Sequence, residues 1–242
     1  MPPATQITRD PVKALEGLRE HVSSVNSNFT MAVAFHEVWR PTAQDAELHG
    51  RMGKSYASQA FLIIRAALRR EMLLGLMRIW DTTTGVHSLK PVFCALEDAR
   101  TWEALTTRRT STIQDRYIVE SISSQLLEAK NDALLSYRKY CKGGTHYEAY
   151  RRLRTLRHVN LAHTQSPTSD AASMDPADDE VSEFYEETSR ITSKLMSIVQ
   201  ATAIDYQDTT SVYAHYARLF WANARGEATP GHPSFRGPTS AA

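Results

Sequence analysis

The stretch that decides the fold is residues 181–206, which read VSEFYEETSRITSKLMSIVQATAIDY. Mostly apolar residues recur along it at steps of three or four positions. They are Val181, Phe184, Thr188, Ile191, Leu195, Ile198, Thr202 and Tyr206. Because an α-helix has about 3.6 residues per turn, this spacing puts all of them on one side of a helix. The pattern predicts a helix that packs along its length against other helices.

The segments before this stretch also have helical periodicity. Asp10-Pro11 predicts a helix start, because aspartate is a good N-cap and proline suits the first helical position. Pro41 is expected to end this first helix. A second helix over about 55–81 is apolar around most of its circumference. Such a helix is typical of the middle of a bundle.

The rest of the chain follows the same pattern. Helices are expected at about 91–100, 113–141, 145–163 and 210–225, with Gly143-Gly144 as a stop signal before the third. Residues 226–242 contain three prolines and three glycines and have little to bury, so a disordered tail is expected. No strand pattern of period two occurs. The sequence therefore predicts an all-α, antiparallel helical bundle that forms one domain over 10–225.

Composition excludes several classes of protein. A formal net charge of +1 over 242 residues gives no general attraction to nucleic acid or membrane. The most apolar segment, 61–80, carries five charges, so we expect no membrane span. Two cysteines and the lack of a signal peptide fit a cytoplasmic protein. Histidine spacing predicts no metal site, and Lys142-Gly143-Gly144-Thr145 lacks the Walker spacing, so no cofactor is expected.

The most informative motif for function is Arg157-His158-Val159-Asn160-Leu161-Ala162-His163, at the end of the predicted helix 145–163. A histidine can move protons near neutral pH. An arginine keeps its charge and can hold phosphate oxygens in a bidentate fork. On a straight helix, Asn160 lies about 60° and His163 about 120° from Arg157, so they are not side by side. A bend in the last turn or a second copy of the chain could bring them together.

The residues before the motif are strongly basic. Seven Lys or Arg residues face one acid over 138–157, and Lys142, Arg151, Arg152 and Arg154 are candidate RNA-binding residues. Four tyrosines lie among them, at 137, 140, 147 and 150, and could stack on bases. The alternative is a solvated helix face with tyrosines in the core. Residues 170–187 contain eight acids and no Lys or Arg. Most of these acids lie near a predicted helix N-terminus, where the helix dipole favours them; the alternative is that they screen the basic surface or are recognised by a partner.

Arg157 followed by a polar residue and, after five intervening positions, by His163 resembles the motif of the HEPN superfamily. Leu161-Ala162-His163, together with Arg78-Ile79-Trp80-Asp81 at the end of the second helix, is most similar to its AbiU-type branch, which is tied to abortive infection. The resemblance covers about 10–225. It implies a HEPN-type helical bundle with extra N- and C-terminal helices.

The resemblance also implies a function. The chain would form a homodimer whose two motifs line a shared cleft that cleaves RNA without a metal. Arg157 and His163 would be the catalytic pair, supported by His158 and Asn160. An antitoxin or regulator protein is a further implied partner. Some relatives carry a tyrosine two positions after the histidine, where a partner modifies it, but this chain has Gln165 there.

Two other hypotheses stay open at the level of sequence. The first is a non-catalytic helical module that binds RNA or a protein through the same cleft. The second is a helical protein outside the superfamily, in which Arg157 pairs with a buried acid.

Overall fold

The structure is a computed structural model that describes residues 10–156, 178–227 and 229–235. Over these residues the chain forms nine α-helices and no strand, which confirms the all-α fold. The helices are α1 (Pro11–Gln44), α2 (Ala46–Met52), α3 (Ala57–Ile79), α4 (Leu89–Glu97), α5 (Ala99–Thr110), α6 (Arg116–Lys139), α7 (Tyr147–Leu156), α8 (Asp178–Gln200) and α9 (Tyr206–Ala222).

The chain divides into two compact units. The first unit comprises Met1–Phe29 and Met77–Ile204, and the second comprises Thr30–Leu76 and Asp205–Ala242. The long helices α1 and α3 each contribute to both units. The single domain expected over 10–225 stays a prediction.

Helix α8 lies in the core of the first unit. Six of the residues that predicted its packing are almost fully buried: Val181, Phe184, Thr188, Ile191, Leu195 and Ile198. The helix ends earlier than expected, because Ala201 takes a left-handed φ of 58° and leads the chain out of the helix. Tyr206, the last position of the predicted face, instead begins α9.

Side-chain pairs show that α8 runs antiparallel to its neighbours. Lys194 bonds to Asp132 of α6 at 2.7 Å, and Glu187 bonds to Lys139 at 2.5 Å, so numbers fall along α8 as they rise along α6. The same reversal relates α8 to α1, where Arg19 contacts Gln200 and Phe29 contacts Tyr185. Helix α5 packs against both α4 and α6. The predicted antiparallel arrangement is confirmed.

Aspartate caps set the start of several helices, including two that the periodicity missed. Asp45 accepts hydrogen bonds from Glu47 and Leu48 at the start of α2, and Asp98 accepts one from Thr101 at the start of α5. The expectation that Pro41 ends the first helix was wrong, because α1 continues through it to Gln44. The Thr42 hydroxyl, which is fully buried, donates to the Trp39 carbonyl across this turn.

The expectation that the second helix is surrounded by other helices holds for only part of α3. Its later residues are buried, among them Met72, Leu76 and Ile79. Its earlier part exposes Leu62, Ile63 and Ile64, which are 49%, 69% and 43% accessible. Apolar residues around the whole helix therefore predicted burial correctly only for the second half of α3. In the first half Phe61 is buried, whereas Leu62, Ile63 and Ile64 face solvent.

The second unit has a small core of its own. Phe61 of α3 meets Trp221 of α9 edge-to-face at 5.7 Å, and Leu48 and Met52 of α2 pack with them. The Trp221 indole donates to the Val38 carbonyl at 2.8 Å. Of the tail expected to be disordered, 226–227 and 229–235 are described; Gly226 donates to the Arg51 carbonyl and His232 is buried. Residues 228 and 236–242 lie outside the described part.

Candidate functional site

The motif itself lies outside the described residues. This applies to Arg157, His158, Asn160 and His163, which were predicted as catalytic or supporting residues. The structure does describe the helices on either side of it. Helix α7 ends at Leu156, directly before Arg157, and α8 begins at Asp178. The contacts of these two helices therefore form the described frame of the candidate site.

Helix α7 is fixed to the core through one face. The Tyr150 hydroxyl donates to the Trp80 carbonyl at 3.1 Å, and its ring packs against Trp80 and Phe184 at 6.1 and 6.4 Å. Leu153, one turn later, is 2% exposed. Because a hydrogen bond and apolar burial both hold this face, the rotation of α7 about its axis is set.

Trp80 joins the helices that surround the site, and sequence reasoning gave it no such role. Its indole donates to the Thr188 hydroxyl of α8 at 2.9 Å. Its ring stacks on Tyr137 of α6 at 5.4 Å and meets Tyr140 edge-to-face at 5.2 Å. Trp80 thus connects α6, α7 and α8. The feature of the sequence that could have indicated this role was the position of Trp80 in Arg78-Ile79-Trp80-Asp81, at the end of an apolar helix.

These contacts show whether the tyrosines near the motif pack in the core or are free to stack on bases. Tyr140 and Tyr150 are buried, and Tyr137 is stacked between Trp80 and Phe93. Burial raises the pKa of both Tyr137 and Tyr140, so their hydroxyls stay neutral at physiological pH. The structure supports core packing for these three rings instead of base stacking.

The acidic start of α8 pairs with the basic residues of α6 and α7. Glu180 bonds to Arg152, Glu183 lies 3.4 Å from the His146 imidazole, and Glu187 bonds to Lys139. Because these partners belong to the segments that precede and follow the motif, the ion pairs hold both ends of its frame together. The described acids therefore neutralise part of the predicted basic surface.

Glu187 is the most deeply placed of these acids, at 5% exposure. Burial alone would raise the pKa of its carboxyl, but hydrogen bonds from Lys139 and Arg190 outweigh this effect and lower the pKa below its ordinary value. The carboxylate is therefore ionised at neutral pH, and its charge is shared by two cations.

The four predicted RNA-binding residues differ in their availability. Arg152 is engaged with Glu180, and Arg151 forms a surface pair with Glu148 at 3.0 Å. Lys142, in the turn after α6, and Arg154, in the last turn of α7, are exposed. Neither forms an ion pair with a described acid. These two have the greatest freedom to contact a phosphate.

The described residues also show whether this part of the chain could hold a metal ion or cross a membrane. Within them, no group of three or more His, Cys, Asp or Glu side chains is arranged to hold a metal ion. None of the described helices combines the length and apolar character needed to cross a bilayer.

Comparison with known proteins identifies a family. The family model described as AbiU2, of HEPN type, matches residues 15–220. Searches of curated proteins and of solved structures each found no match. The matched span runs from α1 to α9 and includes the motif and both helices of its frame. Since it covers the greater part of the sequence, the chain belongs to the AbiU2 family of HEPN proteins.

Proposed function

We propose that this protein is a metal-independent endoribonuclease of HEPN type. The observation that carries the proposal is the position of the Arg157–His163 motif within the family match, directly after a helix fixed by Tyr150 and Leu153. A catalytic pair must be held by a rigid element, because small displacements of the reacting groups lower the reaction rate by large factors. The contacts of α7 and α8 supply such an element.

The chemistry uses the nucleophile that RNA already carries. One His163 imidazole removes the proton of a 2′-hydroxyl, whose oxygen then attacks the adjacent phosphorus. The 5′-oxygen leaves with a proton from a second imidazole, His163 of a second copy of the chain. Arg157 stabilises the extra negative charge on the phosphoryl oxygens during the step. His158 and Asn160 position a phosphate or orient the imidazole.

RNA would approach across the exposed cations that precede the motif in the sequence and form no ion pair with a described acid. Arg154 lies three residues before Arg157, and Lys142 belongs to the turn that leads into α7. We assign phosphate binding mainly to these two residues. Arg152 contributes chiefly to structure, because its guanidinium is held by Glu180 of α8.

The proposed mechanism needs a dimer, and the second unit offers apolar surface for one. Four residues of α9 are 48–62% exposed: Val212, Tyr216, Leu219 and Phe220. At about 100° per residue, they lie within about 100° of one another on the helix. Leu62, Ile63 and Ile64 of α3 add to the exposed apolar surface of the unit. Surface of this kind marks association sites, and we propose a second copy of the chain as its occupant.

A cleavage assay on an RNA pool in EDTA tests the proposal. The wild-type protein should cut RNA, and His163→Ala should slow cleavage by about 10²–10⁴-fold, the usual contribution of general acid–base catalysis. Arg157→Ala should cost about 10²–10³-fold. His87→Ala, which removes an exposed histidine outside the motif, is the matched control and should keep full activity. No cleavage by the wild type, or equal cleavage by all four proteins, would exclude the nuclease.

A non-catalytic binding module is the second candidate, because the exposed cations that precede the motif in the sequence and the exposed apolar side chains on α3 and α9 also suit binding alone. In that case the wild type would retain RNA or a protein partner without producing fragments. His163→Ala would then bind as tightly as the wild type.

The physiological role proposed for the nuclease is prokaryotic defence or growth arrest, under the control of an antitoxin or regulator protein. Induced expression should stop growth, and His163→Ala expressed to the same level should not. Equal toxicity of the two proteins would contradict this role.

A further inference from the structure

A groove in the first unit lies between the start of α1 and helix α5. Its main cavity has a volume of about 560 Å³ and is lined by Val12, Leu15, Arg100, Ala104 and Arg108, among others. A second hollow of about 260 Å³ shares Leu15 and Arg108 with it and extends to the last residues of α8. The two hollows are adjacent, and we call them together the arginine groove.

The floor of the arginine groove is apolar. Leu15, Leu105 and Val199 line it and are 6%, 2% and 5% exposed. Val12 lies at its outer edge and is 60% exposed. A ligand with a flat ring could contact this floor and remove the exposed Val12 side chain from water.

The rim of the arginine groove is cationic. Its lining includes four arginines, at 19, 100, 108 and 109, and one acid, Glu103. The four positive charges exceed the single negative charge by three. This balance favours a ligand that carries several negative charges.

Two of the four arginines have structural partners. The Arg109 guanidinium donates to the Ser197 and Ile198 carbonyls at 2.6 and 2.9 Å, and so caps the end of α8. Arg19 donates to Gln200 at 3.1 Å. Both guanidinium groups are therefore held in place by these hydrogen bonds.

The other two arginines are available. Arg100 and Arg108 are exposed, and neither forms an ion pair with a described acid. The nearby acid Asp98 is engaged as the cap of α5, where it accepts hydrogen bonds from Thr101. Free guanidinium groups beside an apolar floor match the two halves of a nucleotide, since arginine binds phosphate in a bidentate fork.

We propose that the arginine groove binds a nucleotide, with its base on the apolar floor and its phosphates on Arg100 and Arg108. The main cavity falls within the range of about 300–1,000 Å³ that is usual for small-molecule sites. The groove meets α8 at Val199 and Gln200, whereas Glu180 lies in the first turn of α8, where it pairs with Arg152 of α7. Nineteen to twenty residues of helix separate them, which is about 30 Å. The groove therefore lies at the opposite end of α8 from the Arg152–Glu180 pair.

Calorimetric titration of the full-length protein in EDTA with each of the four ribonucleoside triphosphates tests this proposal. At least one should bind with a stoichiometry of one per chain. Arg108→Glu and Arg100→Glu should each weaken that binding at least tenfold, and both positions are exposed, so the variants should fold. Lys54→Glu makes the same change of charge at an exposed position of the second unit and should change the Kd less than twofold.

Inorganic tripolyphosphate separates a nucleotide site from a simple anion site. It has the phosphates but no ring, so it should bind at least tenfold more weakly than the nucleotide. Failure of all four triphosphates to bind, unchanged binding in both arginine variants, or equal binding of tripolyphosphate would overturn the proposal. His163→Ala should bind the nucleotide like the wild type, so this result is independent of the proposed nuclease activity.

Discussion

Glu187 shows how a single carboxylate helps to fix the frame of the candidate site. Its pKa is lowered because Lys139 and Arg190 stabilise the charged form against the effect of burial. A group with a depressed pKa stabilises the fold above its ordinary pKa, here 4.5, and this contribution is lost as the pH falls through the folded-state value.

We therefore expect Glu187→Gln to lower the free energy of unfolding at pH 7 by about 1.5–3 kcal/mol, the usual size of hydrogen bonds to charged groups. The difference from the wild type should shrink as the pH falls below about 4.5. Denaturant unfolding at several pH values measures this. Glu186→Gln, at an exposed neighbouring position, should change stability little. A difference between wild type and Glu187→Gln that does not vary with pH would contradict the assignment.

Two arginines of α7 should separate structure from RNA binding. Arg152→Ala removes the ion pair with Glu180 and should lower the melting temperature. Arg154→Ala removes an exposed cation and should leave the melting temperature unchanged while weakening RNA binding. It should also reduce the slope of log K against log salt by about 0.7, the value for one phosphate contact on a single strand. Thermal melts and binding of a fluorescent RNA at several salt concentrations test both effects. Identical behaviour of the two variants would refute the distinction.

The turn between α6 and α7 determines where the helix before the motif begins. Gly143 has a φ of 89°, and a Cβ on Gly144 would lie 2.2 Å from the Arg138 and Lys139 carbonyl oxygens. The His146 amide donates to that same Lys139 carbonyl at 2.9 Å. The chain can therefore make this close approach only with glycine at position 144.

Gly144→Ala should accordingly destabilise the fold by about 1–3 kcal/mol, the usual cost of overpacking. Gly50→Ala is the matched control, because Gly50 lies inside α2 with nothing within 4 Å of its added Cβ. It should be neutral or stabilise by up to about 1 kcal/mol. Urea unfolding of the wild type and the two variants measures these changes in stability. A Gly144→Ala protein as stable as the wild type would show that the turn can move.

At the level of helices, the sequence predicted what local rules control. The three-and-four spacing of Val181, Phe184 and Ile191 anticipated a buried face of α8, and Gly143-Gly144 anticipated the end of α6. Periodicity failed where tertiary contacts decide the outcome. Helix α1 continues through Pro41 instead of ending there. The exposure of the first half of α3 depends on which other helices pack against it, and the sequence pattern does not give this information.

The candidate site was predictable only in part. The Arg157–His163 motif could be recognised from residue types and spacing. The role of Trp80 could not be, because it depends on Thr188 and Tyr150, which lie 108 and 70 residues away in the sequence. Likewise, the sequence did not show that Arg152 pairs with Glu180 and so differs from the other basic residues of its cluster.

At the scale of the whole molecule, the second unit carries exposed apolar side chains on α3 and α9. If a second copy covers them, Ile63→Asp and Phe220→Asp should each convert a dimer to a monomer, because a buried unpaired carboxylate is costly. Sedimentation equilibrium over a range of concentrations measures the change. Val12→Asp, an exposed apolar position of the first unit, is the control and should remain dimeric. A wild type that is monomeric at all concentrations would remove the dimer from the proposed mechanism.

The chemistry of the cut ends tests the proposed nuclease most directly. Because the 2′-oxygen attacks the neighbouring phosphorus, wild-type protein in EDTA should leave 2′,3′-cyclic phosphates on one fragment and 5′-hydroxyls on the other. Mass spectrometry of the fragments identifies both ends. A substrate with a single 2′-deoxynucleotide should resist cleavage at that position alone. Fragments with 5′-phosphate ends, or cleavage at the deoxynucleotide, would contradict the proposed mechanism.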